Sequence, residues 1–163
     1  VHWEHPYSSR WYQWIFDIRP ILYYLRYYDG GTRASFGAFL NPVLCWGGLI
    51  SIFAMGHLAL RRRDRRAGFI LLGYLAQLVP WMLIGRTTFE YHYFPSAVFL
   101  TLALGYVFEL VIEHRRTWRR MVFGVTFMSL GLFVVFYPVL TGVTVPSWYG
   151  TTFLRWIPGC WPF

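Results

Sequence analysis

Residues 85–95 read Gly-Arg-Thr-Thr-Phe-Glu-Tyr-His-Tyr-Phe-Pro, and Arg86, Glu90 and His92 fall within seven positions of one another. A guanidinium grips a phosphate through a two-pronged fork. A carboxylate and an imidazole two positions apart can move protons or orient a hydroxyl near neutral pH. A plainer reading is equally physical. If the stretch is helical, Arg86 and Glu90 form an i,i+4 pair that neutralises itself, and His92 is a polar group at a helix start. The residues alone leave both readings open. His57 and Glu109 sit near the ends of apolar runs, where reaching water is sufficient. His2 and His5 have Glu4 between them but no thiol nearby, too sparse a set to read as a metal site, so neither a metal site nor a cofactor is expected. The chain contains no Gly-rich phosphate loop, no His-Glu-x-x-His and no Gly-x-Ser-x-Gly.

Composition says what kind of scaffold must hold these side chains. Of 163 residues, 56% are apolar, 22% aromatic and 13% charged, against about 25% charged in soluble proteins. Mean hydropathy is +0.40. Disorder would need the opposite balance, and a water-soluble globule is disfavoured. A bilayer takes about 20 apolar residues per helix, and the stretches 38–60, 67–84, 93–112 and 121–140 qualify. The prediction is an all-α membrane protein with four transmembrane helices. It has three parts: an outward interfacial segment at 1–37, a bundle at 38–140 and an outward aromatic, Pro-rich tail at 141–163. Gly47 and Ser51 offer a small-xxx-small spacing for close helix approach.

The net charge of +8 comes from 15 Arg and no Lys. Five Arg lie in 61–66 and four in 113–120, against Arg86 alone in 85–92. Short loops rich in basic residues stay on the cytoplasmic side. The loop at 85–92 and both termini are then predicted to face outward. Wedged between spans, such runs set topology, and no nucleic-acid partner is expected.

The outward segments are crowded with aromatics. Trp11, Trp14, Tyr23, Tyr24, Tyr27 and Tyr28 alternate with Arg10, Arg19 and Arg26, and Trp148, Tyr149, Phe153, Trp156 and Trp161 follow in the tail. Residues 8–28 read as interfacial, broken at Pro20 and ended at Gly30-Gly31. Such segments either anchor a bundle at the headgroup level or wall a site for a lipid-borne sugar. Cys45 and Cys160 are not expected to form a disulfide. The first residue is Val1, and the chain is expected to be part of a longer one.

Three blocks give the chain a resemblance to a known family. They are His5-Pro6-Tyr7-Ser8-Ser9-Arg10-Trp11-Tyr12-Gln13-Trp14 with Arg19-Pro20, then Arg86-Thr87-Thr88-Phe89-Glu90-Tyr91-His92-Tyr93-Phe94-Pro95, then Tyr137-Pro138-Val139-Leu140-Thr141-Gly142 through Val145-Pro146 to Leu154-Arg155-Trp156-Ile157-Pro158 and Trp161. Together they resemble the C-terminal membrane region of the protein O-mannosyltransferases, multispanning glycosyltransferases of the GT-C class. The resemblance implies transfer of mannose, with inversion, from a polyprenyl- or dolichyl-phosphate donor to Ser or Thr of an exported protein. It implies a catalytic acidic residue in an outward loop of the N-terminal half of the same enzyme, so no catalytic residue is expected in this chain. Donor or acceptor binding is expected at Arg86, His92, Tyr91, Tyr93, Glu90, Arg19 and Arg10, with membrane lipids around them. Glu90 is a departure, because an apolar residue is the more usual expectation there. The exclusive use of Arg points to a GC-rich genome and so to a bacterial cell membrane over the endoplasmic reticulum. The rival reading is a non-enzymatic four-helix scaffold or transporter subunit. A transporter would carry ionisable residues near the midplane, whereas the middles of these four spans are almost purely apolar, with Gln77 and Ser51 the main exceptions.

Overall fold

A computed structural model of the chain describes residues 6–155 and 161. His2, His5, Trp156 and Cys160 lie outside the described residues. The chain divides into two compact units. One comprises residues 1–39, 86–92 and 131–163, the other residues 40–85 and 93–130.

The first unit overturns the all-α expectation. After a single turn, α1 (Trp11–Trp14), the chain forms strand β1 (Ile21–Tyr28), reverses, and returns as β2 (Thr32–Ala38). The register runs antiparallel from Ile21↔Ala38 to Tyr28↔Thr32, with a bulge between Leu22 and Tyr24. A third short strand, β3 (Val145–Pro146), pairs antiparallel with Thr32 and Arg33. The reason is local. Ile-Leu-Tyr-Tyr-Leu-Arg-Tyr-Tyr holds four Tyr and one β-branched Ile, types that suit a pleated surface. Gly30 and Gly31 then adopt φ of +90° and +73°, which L side chains avoid. The glycines expected to end an interfacial segment instead make a hairpin. A one-turn helix, α6 (Ser147–Tyr149), and a wider turn at Gly150–Leu154 follow β3. Leu22, Phe39, Phe136, Val139, Leu154 and Trp161 form the unit's core, where the Phe39 ring lies 5.0 Å from Phe136 and 4.9 Å from Trp161.

The second unit is helical: α2 (Pro42–Arg62), α3 (Arg65–Met82), α4 (Phe94–His114) and the first half of α5 (Arg119–Thr141). Its ends are capped by sequence. Asn41 Oδ1 accepts from the Val43 N–H at 3.0 Å with Pro42 in the first turn, a favoured start. Asp64 caps α3 by accepting from the N–H groups of Arg66 and Ala67. Among the described residues three helical stretches are long and apolar enough to cross a membrane: Pro42–Arg62, Glu90–His114 and Arg116–Thr141. By that measure α3 is not a fourth, since it begins with Arg65 and Arg66 and carries Tyr74, Gln77 and Pro80. Close approach between helices occurs at Gly48, where an added Cβ would lie 2.7 Å from the Leu100 Cβ. Ser51, one turn from Gly47, is buried and donates to the Gly47 carbonyl at 2.7 Å.

Candidate functional site

In the first unit the segment carrying Arg86 is joined to the segment after Pro6. Ser9 donates its N–H to the Thr88 carbonyl at 2.9 Å, and Thr88 Oγ1 donates to the Ser9 carbonyl at 2.7 Å. Both residues are buried. Trp14, at the end of α1, donates its indole N–H to Ser9 Oγ at 2.8 Å and lies parallel to the His92 ring, 6.1 Å away. The blocks that stand about eighty positions apart in sequence therefore meet through Ser9, Trp14, Thr88 and His92.

Around this clasp the aromatic rings stack. His92 lies 4.3 Å from the Tyr91 ring, and Tyr91 lies 5.7 Å from Phe89 at 15°. His92 Nδ1 is 2.8 Å from the Phe89 carbonyl oxygen and 3.2 Å from the Phe89 backbone nitrogen, so it donates to the first or accepts from the second according to its tautomer. Tyr91 is 40% exposed. Tyr23 of β1 stands near Tyr91 and Glu90; partial burial, then these two neighbours, raise its hydroxyl above the ordinary tyrosine range. Arg86 and Thr87 are exposed at the mouth of the segment. Arg10 is exposed; its backbone N–H donates to Gln13 Oε1 at 2.8 Å. Arg19 is half-buried and donates through Nη2 to the Pro6 carbonyl at 2.7 Å.

Two of the expected binding residues are fully buried. Glu90 is 0% exposed, and the Asp17 carboxyl lies against its own. The residues between Arg86 and Glu90 are not helical, so the self-neutralising i,i+4 pair does not form. Glu90 thus occupies a position of the kind that an apolar side chain would fill. Asp17 reaches it from a left-handed backbone, φ +52°, which Asp tolerates better than most residues. Tyr93 is also 0% exposed and belongs to the second unit, where its hydroxyl is hydrogen-bonded to that of Tyr74 at 2.7 Å. Ser9, Trp14, Asp17, Thr88 and Tyr23 were missed as site residues. Three of them lie inside the quoted blocks, but a hydrogen bond across 79 positions leaves no periodic signal. Among the described residues no cluster of three His, Cys, Asp or Glu is placed to hold a metal ion.

Residues 1–160 match the family described as the C-terminal four TMM region of protein-O-mannosyltransferase. The chain belongs to this family. It is 27% identical over 159 residues to a polyprenol-phosphate-mannose–protein mannosyltransferase of Mycolicibacterium smegmatis, with 87% of this chain and 30% of that protein covered. It is 28% identical over 161 residues to the protein of the same name from Mycobacterium tuberculosis, covering 86% and 30%. Among solved structures, the S. cerevisiae protein O-mannosyltransferase Pmt1-Pmt2 complex bound to the sugar donor matches with TM-score 0.68 at 22% identity, over 85% of this chain and 21% of the yeast chain. That likeness concerns the fold. The chain spans about a third of the length of these mycobacterial mannosyltransferases.

Proposed function

We propose that this chain is the membrane region of an enzyme that transfers mannose from a polyprenyl- or dolichyl-phosphate carrier to Ser or Thr of exported proteins, and that its share of the work is to hold the donor. The carrying observation is the Ser9–Thr88 clasp, which fixes the segment bearing exposed Arg86, Tyr91 and half-buried His92. In an inverting transfer the acceptor oxygen attacks the anomeric carbon while its bond to phosphate breaks. The acceptor proton goes to a base, and the lipid phosphate leaves with an added negative charge. A guanidinium aimed at that phosphate stabilises the charge as it develops. Arg86 takes this role, with Arg10 and Arg19 as further donors. Tyr91 and His92 supply a face and a polar edge for the sugar or acceptor. Glu90 and Tyr93, being buried, act as supports. The base belongs to the N-terminal half of the same enzyme.

The apolar helices and the Arg asymmetry support four crossings with both termini and residues 85–92 outward, α3 being the second crossing. The mycobacterial relatives and the all-Arg usage favour a bacterial cell membrane. The test is Arg86→Ala and His92→Ala in the full-length enzyme, assayed with a mannosyl-phosphate lipid and an acceptor peptide. The KM for the donor should rise about tenfold or more. Unchanged KM and kcat in both variants overturn the assignment.

A further inference from the structure

Beside the first turn of α3 is a cavity of about 410 Å³, lined by Arg65, Arg66, Phe69, Ile70 and Leu102. All five belong to the second unit, and none takes part in the clasp around Arg86. Arg65 and Arg66 stand one helical turn before Phe69 and Ile70, so each cation is followed at i+4, about 6 Å along the axis, by an apolar side chain. Leu102 lines the cavity's open side wall from α4. Phe69 is 67% exposed, as a side chain facing hydrocarbon would be.

The one acidic side chain at this helix start is already engaged. Asp64 Oδ1 accepts from the backbone N–H groups of Arg66 and Ala67 at 2.9 and 3.1 Å, and Oδ2 accepts from the Tyr106 hydroxyl at 2.6 Å. Arg65 and Arg66 are both exposed at this helix start, with the Asp64 carboxylate as a charged neighbour of Arg66. A ligand that fits must therefore carry an anionic oxygen cluster at one end and a hydrocarbon chain at the other.

We propose that this cavity binds an acidic phospholipid, its phosphodiester between Arg65 and Arg66 and one acyl chain along Phe69, Ile70 and Leu102. Charge complementarity favours this occupant: a neutral lipid leaves two cations against the single Asp64 carboxylate, and a free phosphate leaves the apolar wall uncovered. The proposal goes beyond mannosyl transfer and does not depend on it, because no residue of the donor-holding segment lines this cavity.

The test titrates the purified full-length protein in detergent with fluorescent phosphatidylglycerol. Phosphatidylcholine, inorganic phosphate and a polyprenyl phosphate serve as competitors. In Arg65→Gln/Arg66→Gln the phosphatidylglycerol affinity should fall roughly thirtyfold. The control Arg115→Gln/Arg116→Gln removes the same charge and should bind as the unaltered protein does. Arg65→Lys/Arg66→Lys should retain much of the binding. Phe69→Ser should weaken the diacyl lipid without affecting its deacylated headgroup. Equal losses in the two Gln pairs would make the attraction diffuse and overturn the site. Displacement by phosphatidylcholine or inorganic phosphate as effective as by unlabelled phosphatidylglycerol would overturn the ligand class. Tighter binding of polyprenyl phosphate at this cavity would give it to the isoprenoid carrier instead.

Discussion

Thr88 and Ser9 exchange two hydrogen bonds, one from backbone to backbone and one from the threonine hydroxyl to the serine carbonyl. This pair makes one site out of two separate motifs. Thr88→Val keeps the shape but leaves the buried Ser9 carbonyl with one donor fewer. It should cost about 1–2 kcal/mol of stability and raise the donor KM more than it lowers kcat. Thr88→Ser should restore both. Thermal unfolding and steady-state assay of the full-length enzyme check this; a Thr88→Val enzyme that melts and turns over normally would deny the clasp its role.

Trp14 makes a second test of the same clasp. Trp14→Phe retains an aromatic ring beside His92 and deletes the 2.8 Å bond to Ser9 Oγ. The expected loss is about 1 kcal/mol, with donor affinity changed less than by Arg86→Ala. If the donor KM of Trp14→Phe rises as far as that of Arg86→Ala, the indole is itself a binding group.

What could be read from sequence followed from period and length. The apolar runs at 38–60, 93–112 and 121–140 match α2, α4 and α5 to a few residues, and the Asn41 cap with Pro42 explains the later start of α2. The sheet was less legible. Its strands are aromatic and flanked by Arg, which reads equally as interfacial, and only the φ of Gly30 and Gly31 separates the two readings. Burial at the site was not legible at all. From sequence Glu90 and Tyr93 read as donor- or acceptor-binding groups, but the 3₁₀ turn over Glu90–Tyr93 buries both.

Glu90 carries a prediction of its own. Two carboxyls facing each other in a buried place are costly to keep charged. Glu90→Gln gives Asp17 an amide donor at nearly unchanged volume, and should raise the thermal midpoint, by about 1 kcal/mol in stability. Glu90→Ala instead leaves a cavity and should lower it. A Glu90→Gln enzyme that is stable yet has lost turnover would make this carboxyl a reacting group and not a support.

Asp64 governs the response to acid at the start of α3. The Tyr106 hydroxyl, then the Ala67 N–H, hold its carboxyl below the usual carboxylate range. A depressed folded value means the stabilisation is present above the ordinary aspartate value, about 3.9, and is lost as pH falls through the lower folded one. The thermal midpoint should therefore stay flat down to about pH 5 and decline in more acidic buffer. Asparagine is also a favoured cap, so Asp64→Asn should reduce that acid-dependent decline while melting close to the unaltered protein near neutrality. An unchanged acid profile in Asp64→Asn would assign the decline to other carboxyls.

The glycines of the helical unit separate close packing from mere flexibility. A Cβ at Gly73 would collide with the Phe99 ring, and one at Gly48 would stand 2.7 Å from the Leu100 Cβ, whereas Gly56 has nothing within 4 Å. All three lie in helices, so propensity alone predicts that each Gly→Ala gains up to about 1 kcal/mol. Packing reverses the sign at two of them. Gly73→Ala and Gly48→Ala should each cost about 1–3 kcal/mol, because neither a ring nor a neighbouring Cβ at that range can yield without moving a helix. Gly56→Ala should be neutral or stabilising. Thermal midpoints of the three variants in one detergent decide the matter, and a stabilised Gly73→Ala would mean that α3 and α4 do not approach as closely as the Phe99 contact requires.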